Sequence, residues 1–403
     1  EAAIVDGANR WRQIWHITLP AIRSTVVVLF ILRLGSFMDL GYEHVWLLQN
    51  PLNQSAIDIF DTYIYRTGVL MGNFSYTTAV GLFKGVIGLL LVVIVFVTYA
   101  IYFERKVIGW MQFRKGPNRT GPLGLLQTVA DVAKLLIKED TIPAKADRHL
   151  FILAPVLAFV PSFLVLAFIP YSQNLQFADL NVGFLYYIAL SGISTIAIII
   201  GGWASNNKYA LLGGMRSAAQ MISYEVPLVL SVVGCVMFAG SLNMRDIVEA
   251  QAGYFWHWNF LPQIVGFAVF IVAAISELNR TPFDLPEAES ELVAGYHVEY
   301  SGFRFAFFML SEYVYVYAIA CLTTLLFLGG WHPPIPQLDF IPGIIWFMLK
   351  FAFIVFSLFW IRATFPRLRV DQLMGFAWKV LLPLAILNIF ITAAWIELFG
   401  MGG

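Results

Sequence analysis

The sequence predicts an all-α chain of transmembrane helices. Three observations carry that prediction. The 403 residues are 59% hydrophobic, 16% aromatic and only 12% charged, against roughly 25% charged in a soluble domain. The apolar residues fall into successive runs of about 17 to 28, near the roughly 20 that a helix needs to cross hydrocarbon. The loops between the runs are asymmetric in Lys and Arg, as bilayer-spanning chains are.

Residues 1–20 read as an amphipathic interfacial helix anchored by Trp11 and Trp15. The run 22–38, with Arg23 and Arg33, is a marginal span. A polar segment, 39–76, is expected on the extracytoplasmic side. Eight spans then follow, at about 78–103, 150–170, 182–203, 218–240, 262–279, 303–330, 343–363 and 379–399. The loop 104–149 carries Arg105, Lys106, Arg114, Lys115, Arg119, Lys134, Lys138, Lys145 and Arg148. The loops 171–181, 241–261 and 331–342 share Arg245 alone. This bias puts 104–149 on the cytoplasmic side. Within it, 123–139 reads as a second interfacial helix, with Leu125, Leu126, Val129, Val132, Ala133 and Leu136 on one face.

Net charge is zero, so nothing points to nucleic acid. Cys235 and Cys321 lie in apolar runs, with no CxxC and no Cys/His cluster, which argues against a protein-bound iron–sulfur or zinc site. There is no Gly-rich dinucleotide fingerprint and no P-loop. The chain begins at Glu1 and is expected to be a fragment at that end.

The densest chemistry is in 277–302. Glu277, Asp284, Glu287, Glu289, Glu291 and Glu299 crowd there, with Arg280 and His297 as the possible cations. Asp284 stands three residues before Glu287, the spacing of an N-cap and its capping acid. A helix starting there would put Glu287 and Glu291 on one face. Carboxylates this close disfavour one another's charge, a property suited to passing protons. A solvated cytoplasmic loop is the plainer alternative. Charged residues also fall in or beside apolar runs: Glu225, just ahead of Pro227, and Glu312 and Lys350, deeper in their runs. Groups at such depth have to be paired or hydrated. Glu312 and Lys350 are expected either to glue helices together or to pair with groups outside this chain. Arg216 and Glu225 are nine residues apart, some 13 Å along a helix, so they should not pair directly.

Two family resemblances follow. Asn279-Arg280-Thr281-Pro282-Phe283-Asp284-Leu285-Pro286-Glu287-Ala288-Glu289, then Gly295-Tyr296-His297-Val298-Glu299-Tyr300-Ser301-Gly302, resembles the acidic loop of the quinone-site membrane subunits of proton-pumping NADH:quinone oxidoreductase, respiratory complex I. The block 203–225 and the loop Gly109–Pro122 are similar to the same family, from about residue 92 onward. The start is different: Glu1-Ala2-Ala3, Gly7 and Ile17-x-Leu19-Pro20, then Gly72–Phe83, resemble the C-terminal part of sugar-type ABC-transporter permeases. The join is placed within 85–95, giving a permease-like part, 1–90, and a complex-I-like part, 91–403.

The resemblance implies a quinone chamber, lined by Glu104, Arg105, Arg114, Gly116, Pro117, Asn118, Arg119, Asp131, Lys134, Arg216 and Arg280. It implies a proton relay through Glu225, Glu277, Asp284, Glu287, Glu289, Glu291 and Glu299. Quinone, ubiquinone or menaquinone, would be the substrate, with no covalent cofactor and no metal. Flavin and iron–sulfur clusters would sit on partner subunits of the membrane and peripheral arms, in a bacterial plasma membrane. The alternatives are a permease for a sugar or oligosaccharide, which accounts for 1–90 only, and a proton transporter without quinone, which has no need of the basic loop 104–122.

Overall fold

In a computed structural model, residues 42–50, 58–173, 175–176, 178–285 and 292–399 are described. The expectations for 1–20, 22–38, Glu287, Glu289 and Glu291 lie outside them, as does the capping pair of Asp284 with Glu287. The chain divides into two compact units, 1–98 and 99–403.

In the first unit, α1 (Tyr42–Leu48) and α2 (Phe60–Tyr65) precede a wide helical turn, Arg66–Leu70. Asp58 gathers this region by accepting from Thr62 at 2.7 Å, Gln49 at 3.1 Å and Arg66 at 2.5 Å. Lys84 pairs with Asp61 at 2.5 Å. The long helix α3 (Phe74–Met111) begins in this unit and is unbroken through the expected join at 85–95.

The second unit takes in α3 from Tyr99 onward, α4 (Gln127–Ile137), α5 (Arg148–Leu166), α6 (Gly183–Ala204) and α7 (Lys208–Ala239). It continues with α8 (Met244–Glu249), α9 (Ile264–Glu277), α10 (Gly302–Phe327), α11 (Gly343–Thr364), α12 (Val370–Phe376) and α13 (Leu382–Phe399). A wide turn, Ala377–Leu381, joins α12 to α13. Short polar residues start several of these helices. Asp147 accepts from the backbone N–H of His149 at 3.1 Å, Asn207 from Tyr209 at 2.9 Å and Asn243 from Arg245 at 2.9 Å. Gly240, at φ +63°, ends α7.

Each of the eight expected spans is helical, and among the described residues six helices are long and apolar enough to cross a membrane: Arg148–Leu166, Gly183–Ala204, Lys208–Ala239, Gly302–Phe327, Gly343–Thr364 and Val370–Leu398. Three expectations need correction. The run 262–279 gives a helix of 14 residues, about 21 Å at 1.5 Å per residue, short of the roughly 30 Å hydrocarbon core. Helix α7 begins ten residues before 218, because Asn207 caps it there, so Arg216 stands on the helix and not in a loop. The last span begins at Val370, not 379.

Helix α7 is the hub. It packs against α6, α9, α13 and the tight turn Gly295–His297, while α10 packs against α5 and α11. The approach of α7 to the 295–297 turn depends on glycine: a Cβ on Gly213 would lie 2.6 Å from the Cα of Gly295. Beside it, Phe151 and Tyr300 stack at 4.1 Å in a buried cluster with Tyr296 and Phe308.

Candidate functional site

The polar centre of the second unit grows from two helical periodicities and one helix end. On α6, Ser191, Ser194 and Ile198 follow at spacings of three and four; on α10, Phe308, Ser311, Glu312 and Tyr315 do the same. Helix α9 ends by presenting Glu277, Leu278 and Asn279. With Ala158, Met221 and Tyr296, these residues line a small, partly open cavity of about 30 Å³. Two carboxylates, Glu277 and Glu312, thus face one small space edged by hydroxyls.

The hydroxyl of Tyr187, four residues before Ser191, donates to the Glu277 carboxylate at 3.4 and 3.5 Å. Tyr296 donates to Glu312 at 3.2 Å, and the hydroxyls of Ser194 and Tyr315 share a hydrogen bond of 2.7 Å. Glu225 comes in from α7 against α6: a Cβ on Gly192 would lie 3.8 Å from its Oε1. Just past Glu277, Arg280 turns toward a second group of charges. It donates to both oxygens of Glu104 at 3.2 and 3.3 Å and to Glu312 at 3.4 Å, with its guanidinium 4.4 Å from the centre of the Tyr313 ring. Arg362, from the last turn of α11, also donates to Glu104. Two carboxylates and two guanidiniums are therefore linked, and Glu312 belongs both to the cavity and to this ion cluster. Glu104 is 4% exposed and Arg280 9%. Removing one member of such a buried set costs on the order of 3–5 kcal/mol, because it strands the others.

The expected site residues fall in several different places. Glu104, expected in the quinone chamber, is at the centre of the buried ion cluster, where two arginines converge on it. Glu312 and Lys350, for which partners outside the chain were one expectation, both find partners within it. Lys350 donates to the carbonyls of Leu328 at 2.6 Å, Gly330 at 3.0 Å and His332 at 2.7 Å, and lies 3.9 Å from the centre of the Trp258 ring. The carboxylate of Asp284 pairs with Arg367 at 3.0 Å. That of Glu299 accepts from Asn207 at 2.6 Å. Neither lines the cavity.

The other chamber residues also stand apart from the cavity lining. Arg105 pairs with Asp131 at 2.6 Å; Gln127 donates to Asp131 at 3.1 Å and accepts from Thr120 at 2.7 Å. These bonds pin the loop and α4 to the end of α3. Gly116 permits the loop to fold back, since a Cβ there would lie 2.9 Å from the Arg105 carbonyl. Arg114, Asn118, Arg119 and Lys134 are exposed; Gly116, Pro117 and Arg216 are half-buried. Phe113, Trp110, Leu126 just before α4 and the apolar face of α4 (Val129, Val132, Leu136) are exposed as well.

Residues 84–393 match the family model described as NADH dehydrogenase. The chain belongs to the NADH dehydrogenase family. Its relatives there include the H subunit of NADH-quinone oxidoreductase from Brevibacillus brevis, 70% identical over 76% of this chain and 90% of that protein. The corresponding H subunits of Anoxybacillus flavithermus and of a Geobacillus species are 65% and 64% identical, each over 81% of this chain and 97% of the relative. Residues 1–108 match a second family model, the binding-protein-dependent transport system inner membrane component. The two matches overlap at 84–108, on α3.

The residues that sequence reasoning missed in this NADH dehydrogenase family member are Tyr187, Ser191, Ser194, Tyr296, Ser311, Tyr315 and Arg362. The helical spacing of the serines and tyrosines along otherwise apolar runs was a usable signal. Nothing marked Arg362, whose partner is 258 positions away.

Proposed function

We propose that residues from about 91 to 403 work as the quinone-chamber subunit of a proton-pumping NADH:quinone oxidoreductase in the bacterial plasma membrane. Its quinone substrate would be reduced by electrons from NADH that arrive through flavin and iron–sulfur clusters on partner subunits. The observation that carries the coupling is the cavity itself: Glu277 and Glu312 share it, and Arg280 ties Glu312 to Glu104. Charge or proton movement at one of these groups alters the field at the others, so they respond as a set. Glu225 and Tyr187 extend the set across α6 and α7, and the acidic stretch Asp284 to Glu299 supplies it from the loop side. Trp110, Phe113 and the apolar face of α4, beside the basic loop around Arg114 and Arg119, form the approach for the quinone.

The test is Glu277→Gln, read in inverted membrane vesicles. NADH:quinone turnover and acidification of the interior fall together by at least 10-fold, while the amount of assembled complex is kept. Pumping at the native rate would sink the relay.

The match of residues 1–108 to the transport component favours a second reading for the start of the chain alone: a permease-derived segment, 1–90, that plays no part in quinone chemistry. Glu1→Ala then leaves quinone reduction unchanged, and a loss would reverse that assignment.

A further inference from the structure

The turn that follows α9 has to place two charges of opposite sign only three residues apart, Glu277 in the cavity and Arg280 in the ion cluster. Its backbone leaves the helix at Asn279, which adopts a left-handed φ of +49°. The turn is closed in part by its own backbone, Asn279 N–H donating to the Ser276 carbonyl at 3.1 Å and Phe283 N–H to that of Arg280 at 2.8 Å. A further tie, one that spans the whole turn, comes from a different helix. Gln220, on α7 and wholly buried, donates from its amide nitrogen to the carbonyls of Ser276 and Phe283, both at 2.8 Å, with the side-chain oxygen of Asn279 at 3.2 Å. The next residue, Met221, accepts from the Asn279 amide at 3.8 Å through its sulfur.

Three oxygens around one amide nitrogen fix which way the amide faces: the reverse orientation would set its oxygen against all three. They also bracket the turn. Ser276 precedes Glu277, Asn279 precedes Arg280, and Phe283 closes the segment. Nothing else among the described residues spans 276–283 in this way. The contacts that depend on the turn are long: 3.4 Å from Arg280 to Glu312, and 3.4 and 3.5 Å from Tyr187 to Glu277. A shift of less than an ångström removes them.

We propose that Gln220 is a positioning residue: its amide clamps the 276–283 turn so that Glu277 and Arg280 are held together at the cavity. This rests on the relay reading above. Gln220 touches neither quinone nor proton and acts only through the groups it places, so its loss lowers kcat and leaves the KM for quinone unchanged.

The experiment uses vesicles from cells whose complex carries this chain, with assembled complex measured on native gels. Gln220→Leu, which keeps the bulk and removes the donor, lowers kcat on the order of 10- to 100-fold, the scale of a sub-ångström to 1 Å misplacement. Gln220→Leu combined with Glu277→Gln is no slower than the slower single variant, because both act on one unit. Gln220→Glu has an O–H to donate only when protonated, so its turnover relative to the native chain rises as the pH is lowered. Native turnover in Gln220→Leu, losses that multiply in the double variant, a pH-independent ratio for Gln220→Glu, or failure of both single variants to assemble would each overturn the proposal. The two readings fail separately. A fully active Glu277→Gln sinks the relay, whereas an inactive Glu277→Gln beside an active Gln220→Leu sinks only the clamp.

Discussion

Two places in this molecule bury a cation among apolar helices, and they do it in opposite ways. Lys350 spends all three ammonium protons on backbone carbonyls at 2.6 to 3.0 Å and rests on the Trp258 ring. Every donor is used, and the acceptors, which belong to the end of α10 and the loop after it, have no proton chemistry. Arg280 reaches two carboxylates through contacts of 3.2 to 3.4 Å, shares one of them with Arg362, and stands beside a cavity. The first site closes a helix end; the second leaves charge to be redistributed. Charge at membrane depth is therefore a poor guide to function by itself, and the saturation of its partners tells more.

The comparison breaks most visibly at Lys350. Lys350→Met leaves three carbonyls without their donor at a buried site, at a cost of several kcal/mol. The assembled complex on native gels falls sharply, while whatever remains pumps with the native ratio of protons to NADH. Glu312→Gln does the reverse. The amide keeps a partner for Tyr296 and Arg280 keeps Glu104, so more of the complex persists than in Lys350→Met, and turnover per assembled complex falls about 10-fold or more, read as NADH oxidation with quinone.

His297 sharpens the contrast with a third solution, neutrality. Burial pushes its imidazole down to about 4, and its Nδ1 has no partner among the described residues. The folded protein then binds fewer protons than the unfolded chain between about pH 6.5 and 4, so stability falls as the pH is lowered through that window. The full effect is on the order of 3 kcal/mol. Thermal melting of the purified complex across pH 7 to 4.5 shows it, and His297→Gln flattens the dependence. The smallest effect belongs to Arg105→Ala. It removes a half-exposed pair with Asp131, worth about 1 kcal/mol or less; complex yield is unchanged, and added salt alters native chain and variant alike.

The bundle was readable in the sequence because apolar run length is a direct demand of the bilayer. Its errors came where local chemistry moved a boundary: Asn207 starts α7 early, and α9 stops short because Asn279 turns left-handed. The candidate site was half readable. Glu225, Glu277 and Arg280 stood out as charge beside apolar runs, and Glu312 did too, but nothing separated Glu312 from Lys350. What separates them is the identity of their partners, a carboxylate-rich cluster against bare backbone, and backbone carbonyls leave no trace in a sequence. The role of Glu104 was hidden for a related reason, since its arginines are 176 and 258 positions away.

The shortness of α9 bears on how the chain is made. With 14 residues, it emerges from the ribosome as a segment about 9 Å too short to cross hydrocarbon by itself. The polar groups at its two ends cannot be left in lipid. Gln220, already synthesised, is there to take the C-terminal end. The other end waits: Gln263 donates to Thr392 at 2.7 Å and accepts from Asn388 at 2.6 Å, and both partners are on the last helix. The N-terminal end of α9 thus lacks these two side-chain partners until α13 has been made.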